Sequence, residues 1–368
     1  MTLLRLEVSN LRNIAKLDIE PHPKLNIIVG ANGSGKTSLL ESINVLSTAR
    51  SFRSAKVKSL VKDLSERLVV FGVVEKSGVE HRLGVQKSRS GETLIRVDGA
   101  TARGAAELAK WFPVQVIGPD IYELVSEGPT VRRQFLDWGL FHVEQFFYPA
   151  WSRYQKALEQ RNALLKQGVR EDSLYLPWES EMIESAAEID RFRVDQLSRI
   201  ATKIEAEKVA LLPDLAERLS IEYEHGFDLN KTLASQLKDE RKSEYLPSST
   251  LHGPHRADFK IKLDRQLAKE ILSRGQAKLL SHALRIAQVR LLNEIKGDAV
   301  CMLIDDIGAE LDKRAQQVFF DLLFQCDAQL FVTTLDTDFA KQMSSDCKLF
   351  HVEHGAISEI STATMECQ

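Results

Sequence analysis

Apolar and polar positions alternate along the chain in three distinct regimes. Near the start, Leu3–Val8 reads as a short strand, and Ile14–Ile19 alternates with a period of two. Leu25–Gly30 (LNIIVG) is a continuous apolar run, the pattern of a strand buried on both faces. A glycine-rich turn follows it. From Lys36 to about Leu46, Leu39, Leu40, Ile43 and Leu46 share one side, which predicts a helix. Leu68–Val74, His81–Gln86 and Leu94–Val97 are three more strand-like runs. Lys76-Ser77-Gly78 and Ser88-Arg89-Ser90-Gly91 separate them, turn chemistry that suits an antiparallel meander.

The second regime, from near Pro119 to about Pro213, is helical. Ile183, Ala186, Ile189, Val194, Leu197, Ile200, Ile204 and Leu211 outline one stripe on a helix between Pro177 and Pro213. At 1.5 Å per residue that helix runs roughly 50 Å, long enough to be either a core helix with a solvated face or a protruding arm. Asp239–Ser249, charged and carrying Pro247, reads as a linker. The third regime returns to α/β, with strands at Asp258–Leu263, Ala299–Ile304 and Gln329–Thr334 and a helix over Ser273–Lys296. Buried strands alternating with helices at both ends of the chain predict a parallel core sheet with a helical insertion. The expected division is a discontinuous lobe of residues 1–118 and 296–368, with a helical lobe of 119–295 between its halves.

Composition narrows the class. At 368 residues, 43% hydrophobic and 27% charged, the chain can bury a sizeable core. No apolar run approaches the ~20 residues of a membrane helix. Arg5 and Glu7 stand where a signal peptide needs its apolar stretch, so a cytoplasmic location is expected. The four cysteines, Cys301, Cys326, Cys347 and Cys367, form no C-x-x-C pair and indicate neither zinc nor a disulfide framework. Lys plus Arg (49) against Asp plus Glu (52) gives a net charge of −3, so any nucleic-acid contact must come from a local patch or an assembled form.

Gly30-Ala31-Asn32-Gly33-Ser34-Gly35-Lys36-Thr37 fits the phosphate-loop pattern G-x-x-x-x-G-K-[ST] in its required setting, after a buried strand and before a helix. Its glycines let backbone N–H groups curl around a phosphate, and the helix aims its positive end at the same anion. Lys36 is expected at the β/γ-phosphates and the Thr37 hydroxyl on Mg²⁺, with Ser38 completing the ATP-binding stretch. The second half of such a site is a buried strand ending in carboxylates, which Val300–Ile304 followed by Asp305 and Asp306 provides. Asp305 is expected to hold Mg²⁺ through its water shell, and Asp306 to orient or deprotonate the attacking water.

Leu272-Ser273-Arg274-Gly275-Gln276 opens a long helix and is similar to the ABC-type signature loop S-x-G-Q. In that arrangement Ser273, Gly275 and Gln276 complete the ATP site of a partner chain. Gly308-Ala309-Glu310-Leu311-Asp312 resembles the D-loop that follows, with Asp312 as its acid. The implied fold is an ABC-type ATPase head, α/β, whose P-loop NTPase sheet carries an antiparallel β meander and an inserted helical lobe. A two-fold homodimer enclosing two ATP molecules follows from it.

Further segments carry a closer resemblance: LEVSNLRNI, Arg50-Ser51-Phe52-Arg53, GPTVRRQFLDW (Gly128–Trp138), QRNALL (Gln160–Leu165) and HGPHRADF (His252–Phe259). Together they resemble the RecF family of bacterial recombination-repair proteins. The resemblance implies an SMC/Rad50-like head without the long coiled coil, ATP-dependent dimerisation on double-stranded and gapped DNA, and weak, Mg²⁺-dependent ATP hydrolysis used as a switch. It also implies RecR and RecO as partners and help in loading RecA at gaps.

The chain departs from the wider ABC pattern at three places. Asp306 stands where glutamate is usual, which predicts slow hydrolysis. Thr334 occupies the position of the switch histidine, and no Q-loop glutamine is evident near Val116–Asp120. Arg50, Arg53, Lys56 and Lys58 cluster after the phosphate-loop helix, and Arg132 and Arg133 start another segment; these are a solvated face, or else Arg50, Arg53 and Lys56 touch phosphate of nucleotide or DNA. His255 and Arg256 are expected in a structural or signal-coupling role. The competing readings are a P-loop kinase of a small metabolite, which leaves the LSRGQ helix unexplained, and an ABC-type ATPase subunit of another complex, such as a transporter.

Overall fold

The computed structural model describes residues 1–54, 56–306, 311, 313–335 and 346–360. The chain forms two compact units, one of Met1–Ile121 with Leu292–Gln368 and one of Tyr122–Leu291.

The first unit is built on two six-stranded sheets. One is antiparallel: Thr2–Leu11 pairs with Ile14–Ile19 on one side and Arg67–Lys76 on the other, and the meander continues through Val79–Ser88, Thr93–Val97 and Ala100–Thr101. The other is parallel apart from its last hairpin strand. Leu25–Val29 lies between Ala328–Thr334 and Lys348–Glu353, and Val300–Ile304 lies between Ala328–Thr334 and Val114–Ile117. Ala356–Ile360 closes one edge as an antiparallel hairpin partner of Lys348–Glu353.

The helix Lys36–Thr48 is buried almost all round because apolar side chains of both sheets cover it. Leu39, Leu40, Ile43 and Leu46 are fully buried. Gly72 lets the helix come this close: a Cβ there would lie 2.4 Å from the Leu46 side chain. Covering both faces of Leu25–Val29 and Val300–Ile304 explains their unbroken apolar runs, since every residue in each is buried.

The second unit contains the helices Pro129–Val143, Phe147–Lys166 and Leu176–Leu211, and the first residues of Arg274–Lys296. Leu176–Leu211, at 36 residues, packs along Phe147–Lys166 through Met182, Ala186 and Ile189. Val194, placed on its buried stripe by periodicity, is exposed instead, and Phe192 and Arg193 turn inward.

Three further expectations are corrected. Asp258–Leu263 does not join the core sheet; it pairs antiparallel with Leu219–Glu224 in a three-stranded sheet of this unit. Asp239–Ser249 is no linker. It includes a short helix, Arg241–Glu244, whose Glu244 is fully buried against Arg161 at 2.7 Å, while Arg241 reaches Glu179 at 2.8 Å. Two arginines and two glutamates compensate one another there, so the charges pack inside. Arg132 and Arg133 are also structural. Arg132 makes a two-pronged bond to Asp258, at 2.7 and 2.9 Å, and Arg133 donates to the Ala257 carbonyl at 2.7 Å.

His255 and Arg256 take structural places here. His255 Nε2 donates to the Thr250 carbonyl at 3.0 Å, which leaves Nδ1 to accept from the Tyr154 hydroxyl at 2.6 Å. Arg256 donates to the same Thr250 carbonyl at 2.9 Å. Burial pushes the His255 pKa from 6.5 down to about 4, and burial pushes that of His282 to about 3. The unfolded chain therefore takes up protons in this window while the folded chain does not, and stability falls as pH drops from about 6.5 toward 4. His255 alone is expected to contribute on the order of 3 kcal/mol of that loss. Thermal melting across this range checks it, and His255→Gln is expected to flatten the slope.

Candidate nucleotide-binding site

Leu25–Val29 delivers the glycine-rich turn at its carboxyl end, on the rim where open α/β sheets bind ligands. Gly30 is required by close approach, because a Cβ there would meet the Val352 carbonyl at 2.3 Å. Gly35 sits at φ +124°, a conformation that L side chains rarely adopt, and caps the helix with no side chain to accept from the first-turn N–H groups. Ala31, Asn32 and Gly33 form the exposed crest of the turn.

Lys36 bends back over the turn, its Nζ donating to the carbonyls of Gly30 at 2.6 Å and Ala31 at 3.0 Å. Burial lowers its pKa, and the nearby carboxylates of Asp306 and Asp305 oppose that shift. Ser34 Oγ is buried with no hydrogen-bond partner among the described residues, and Ser38 is buried beside Thr37. A cation held on its own loop, an orphaned hydroxyl and an uncapped helix start together fit an anion of phosphate size.

The Thr37 hydroxyl reaches across to Asp305, 3.0 Å from Oδ1 and 2.9 Å from Oδ2. Residues 268 positions apart thus meet at one point. Asp305 is nearly buried, and its backbone N–H is fixed by the Ile117 carbonyl at 2.8 Å. The donor set is a hydroxyl and a carboxylate, hard oxygens of the kind Mg²⁺ prefers. Among the described residues no cluster of three His, Cys, Asp or Glu side chains could hold a metal unaided. A Mg²⁺ ion here would therefore rely on phosphate oxygens and water for its remaining ligands.

Thr333 was missed in the sequence. Its hydroxyl donates to Asp305 Oδ1 at 2.8 Å and accepts from the Asp306 N–H at 2.8 Å, tying the two acids together. Ala328–Thr334 is buried from Gln329 on, so the apolar pattern gives no sign of which threonine faces the site. Thr334, expected at the switch position, is also buried. Asp306 is half-buried in the left-handed region at φ +54°, which aspartate tolerates. Asp312, expected as the D-loop acid, lies outside the described residues, as do Gly308–Glu310.

The Ser273 turn lies in the second unit. Ser273 Oγ accepts from the Gln276 N–H at 3.2 Å, and Gln276 Oε1 accepts from the Ser273 N–H at 2.9 Å, a reciprocal capping box at the head of the 23-residue helix Arg274–Lys296. Ser273 and Arg274 are exposed, and Arg274 lies over the Tyr122 ring at 4.7 Å. A Cβ on Gly275 would meet nothing within 4 Å, so this chain's own packing does not require glycine there.

Arg50, Arg53 and Lys56 are all exposed. The segment that bears them is anchored, since Asn44 donates to the Arg50 carbonyl at 2.8 Å and Ser51 donates to Glu41. Glu41, fully buried on the phosphate-loop helix, also holds Arg12 at 2.7 Å.

Residues 2–358 match the RecF/RecN/SMC N-terminal domain family. The DNA replication and repair protein RecF of Pseudomonas aeruginosa (strain LESB58) is 40% identical over 370 residues, covering the whole of both chains. RecF of Pseudomonas entomophila (strain L48) is 40% identical over 98% of each chain. Among solved structures, the recombination mediator protein RecF with ATP, of the RecFOR pathway, superposes with a TM-score of 0.87 at 26% identity over 98% of each chain. The Smc head domain of Pyrococcus furiosus, at 16% identity and a TM-score of 0.57 over 99% of this chain and 98% of that one, shares the fold. This chain belongs to the RecF/RecN/SMC N-terminal domain family.

Proposed function

We propose that this protein is an ATP-dependent DNA-binding switch of recombinational repair, in which ATP closes a homodimer on DNA and slow hydrolysis reopens it. The observation that carries this reading is the convergence of Lys36, Thr37, Asp305 and Asp306 on one rim of the parallel sheet, joined by Thr333. Full-length similarity to RecF proteins supports the pathway, and with it RecR and RecO as partners and RecA as the protein loaded at gaps. It also disfavours the metabolite kinase and the transporter subunit. Among the described residues no helix is long and apolar enough to cross a membrane.

Each residue has a role in this reading. The backbone of Gly30–Gly35 and the start of the Lys36–Thr48 helix bind phosphate, Lys36 neutralises its charge, and Ser38 closes the first helical turn. Thr37 and Asp305 hold Mg²⁺. When bound, Mg²⁺ and ATP supply a cleavable phosphoanhydride with its charge partly neutralised. Asp306 holds the attacking water and accepts its proton, and its short side chain suits a slow switch. Ser273, exposed at the head of its helix, Gly275, which local packing does not require, and Gln276 cap the nucleotide of the partner copy. Asp312 supports the same junction. Arg50, Arg53 and Lys56 touch DNA phosphates, which suits their exposure on an anchored segment.

Ser273→Arg tests the shared site. The variant is expected to bind ATP within about twofold of wild type and to remain monomeric in gel filtration with ATP. A dimer that persists would refute capping by this turn. DNA retention is measured on gapped and blunt duplex, with and without ATP, across salt. Retention is expected only with ATP, with the steep salt slope of phosphate contacts. Equal retention without nucleotide would refute the switch.

A further inference from the structure

We propose that Asn13, in the turn between the first two strands, is a positioning residue that latches the phosphate loop in its anion-binding form. The inference rests on the nucleotide-binding reading above and adds to it a residue outside the phosphate loop, the carboxylate strand and the signature turn. Asn13 Nδ2 donates to the Ser34 carbonyl at 2.9 Å. The Gly355 N–H, from the turn between Lys348–Glu353 and Ala356–Ile360, donates to the same oxygen at 2.8 Å. One carbonyl of the loop is therefore held by two turns, one from each sheet of the unit.

The consequence follows from peptide geometry. The Ser34–Gly35 peptide is planar and trans, so its C=O and N–H point in opposite directions. Fixing the Ser34 oxygen outward, against Asn13 and Gly355, turns the Gly35 N–H to the face around which the loop curls. A phosphate needs donors on that face. Glycine at 35, with φ +124°, leaves this peptide free to rotate, and a flipped plane would present a carbonyl oxygen to the anion instead. The latch removes that alternative.

The latch is closely built. A Cβ on Gly35 would lie 2.8 Å from Asn13 Nδ2, and one on Gly355 would lie 2.3 Å from the Asn13 carbonyl oxygen. That carbonyl also accepts from Lys62 Nζ at 3.1 Å, and the preceding Arg12 is pinned to the buried Glu41 on the phosphate-loop helix. Asn13 is thus fixed from behind by charged groups while its amide faces the loop.

The test compares wild type with Asn13→Ala and Asn13→Asp in the full chain. Asn13→Asp keeps the shape and removes the donor, so it separates donation from packing. Both variants are expected to bind ATP about tenfold to a hundredfold more weakly in calorimetry. KM is expected to rise in parallel, with kcat at saturating ATP within about twofold, the signature of lost uniform binding. Without nucleotide, the melting temperature is expected to stay within about 2 °C, while amide hydrogen exchange over residues 30–36 accelerates. Wild-type affinity in Asn13→Asp overturns the latch, as does a nucleotide-free melting temperature lowered by more than about 8 °C, which would make Asn13 a residue of the fold. If wild type itself bound no ATP, the nucleotide reading would fail, and the exchange measurement would still decide the latch: unchanged exchange refutes it, accelerated exchange upholds it.

Discussion

Lys36→Met is expected to weaken ATP binding by on the order of a hundredfold or more while leaving the nucleotide-free protein at least as stable as wild type. The two halves of this expectation have one cause. The Lys36 ammonium is desolvated in the loop, which lowers its pKa, and the neutral Gly30 and Ala31 carbonyls accept its hydrogen bonds. That is a poor environment for a cation in the folded protein and a good one once a phosphate arrives. Methionine fills similar volume without the charge, so the folding cost disappears together with the binding gain. Calorimetry with ATP and a thermal melt without it measure both. Affinity within about threefold of wild type would remove Lys36 from the phosphates.

Asp306→Asn is expected to slow ATP turnover by about 10²–10⁴-fold, the range of a lost general base, while ATP binding persists and the closed dimer accumulates on DNA. Asparagine suits this test because it shares the tolerance of aspartate for the left-handed backbone that residue 306 adopts at φ +54°. It also keeps the N–H that donates to Thr333. Loss of activity would then report the carboxylate and not a collapsed loop. Single-turnover hydrolysis and dissociation from DNA read the two effects. Fast turnover, or rapid release from DNA, would remove Asp306 from the chemistry.

The parts legible in the sequence were those written in contiguous residues. The phosphate loop, the two fully buried strands beside it and the meander each carry their pattern within about ten positions. The Ser273 turn stood out for the same reason, as the contiguous S-x-G-Q spacing, and its capping box emerged only in the structure. The missing features are non-local. Leu219–Glu224 alternates its burial, yet its partner strand begins some forty residues later, and only the pairing reveals the separate small sheet they share. Glu244 and Arg241 look like linker charges until Arg161 and Glu179 meet them from distant helices. Thr333 and Asn13 are single polar residues in apolar or turn contexts, and their meaning lies wholly in what they touch: Asp305 and Asp306 for one, the Ser34 carbonyl for the other.

Mixing two inactive variants tests the shared site most directly. Lys36→Met keeps its Ser273 turn but holds no ATP, and Ser273→Arg holds ATP but cannot cap a partner's. Each alone is expected to stay monomeric with ATP in analytical ultracentrifugation. Together they should form a heterodimer, since one complete site arises from the loop of one copy and the turn of the other. Were the mixture to sediment as monomers under conditions where wild type dimerises, the nucleotide would not be bridging two chains, and the account would be wrong at its centre.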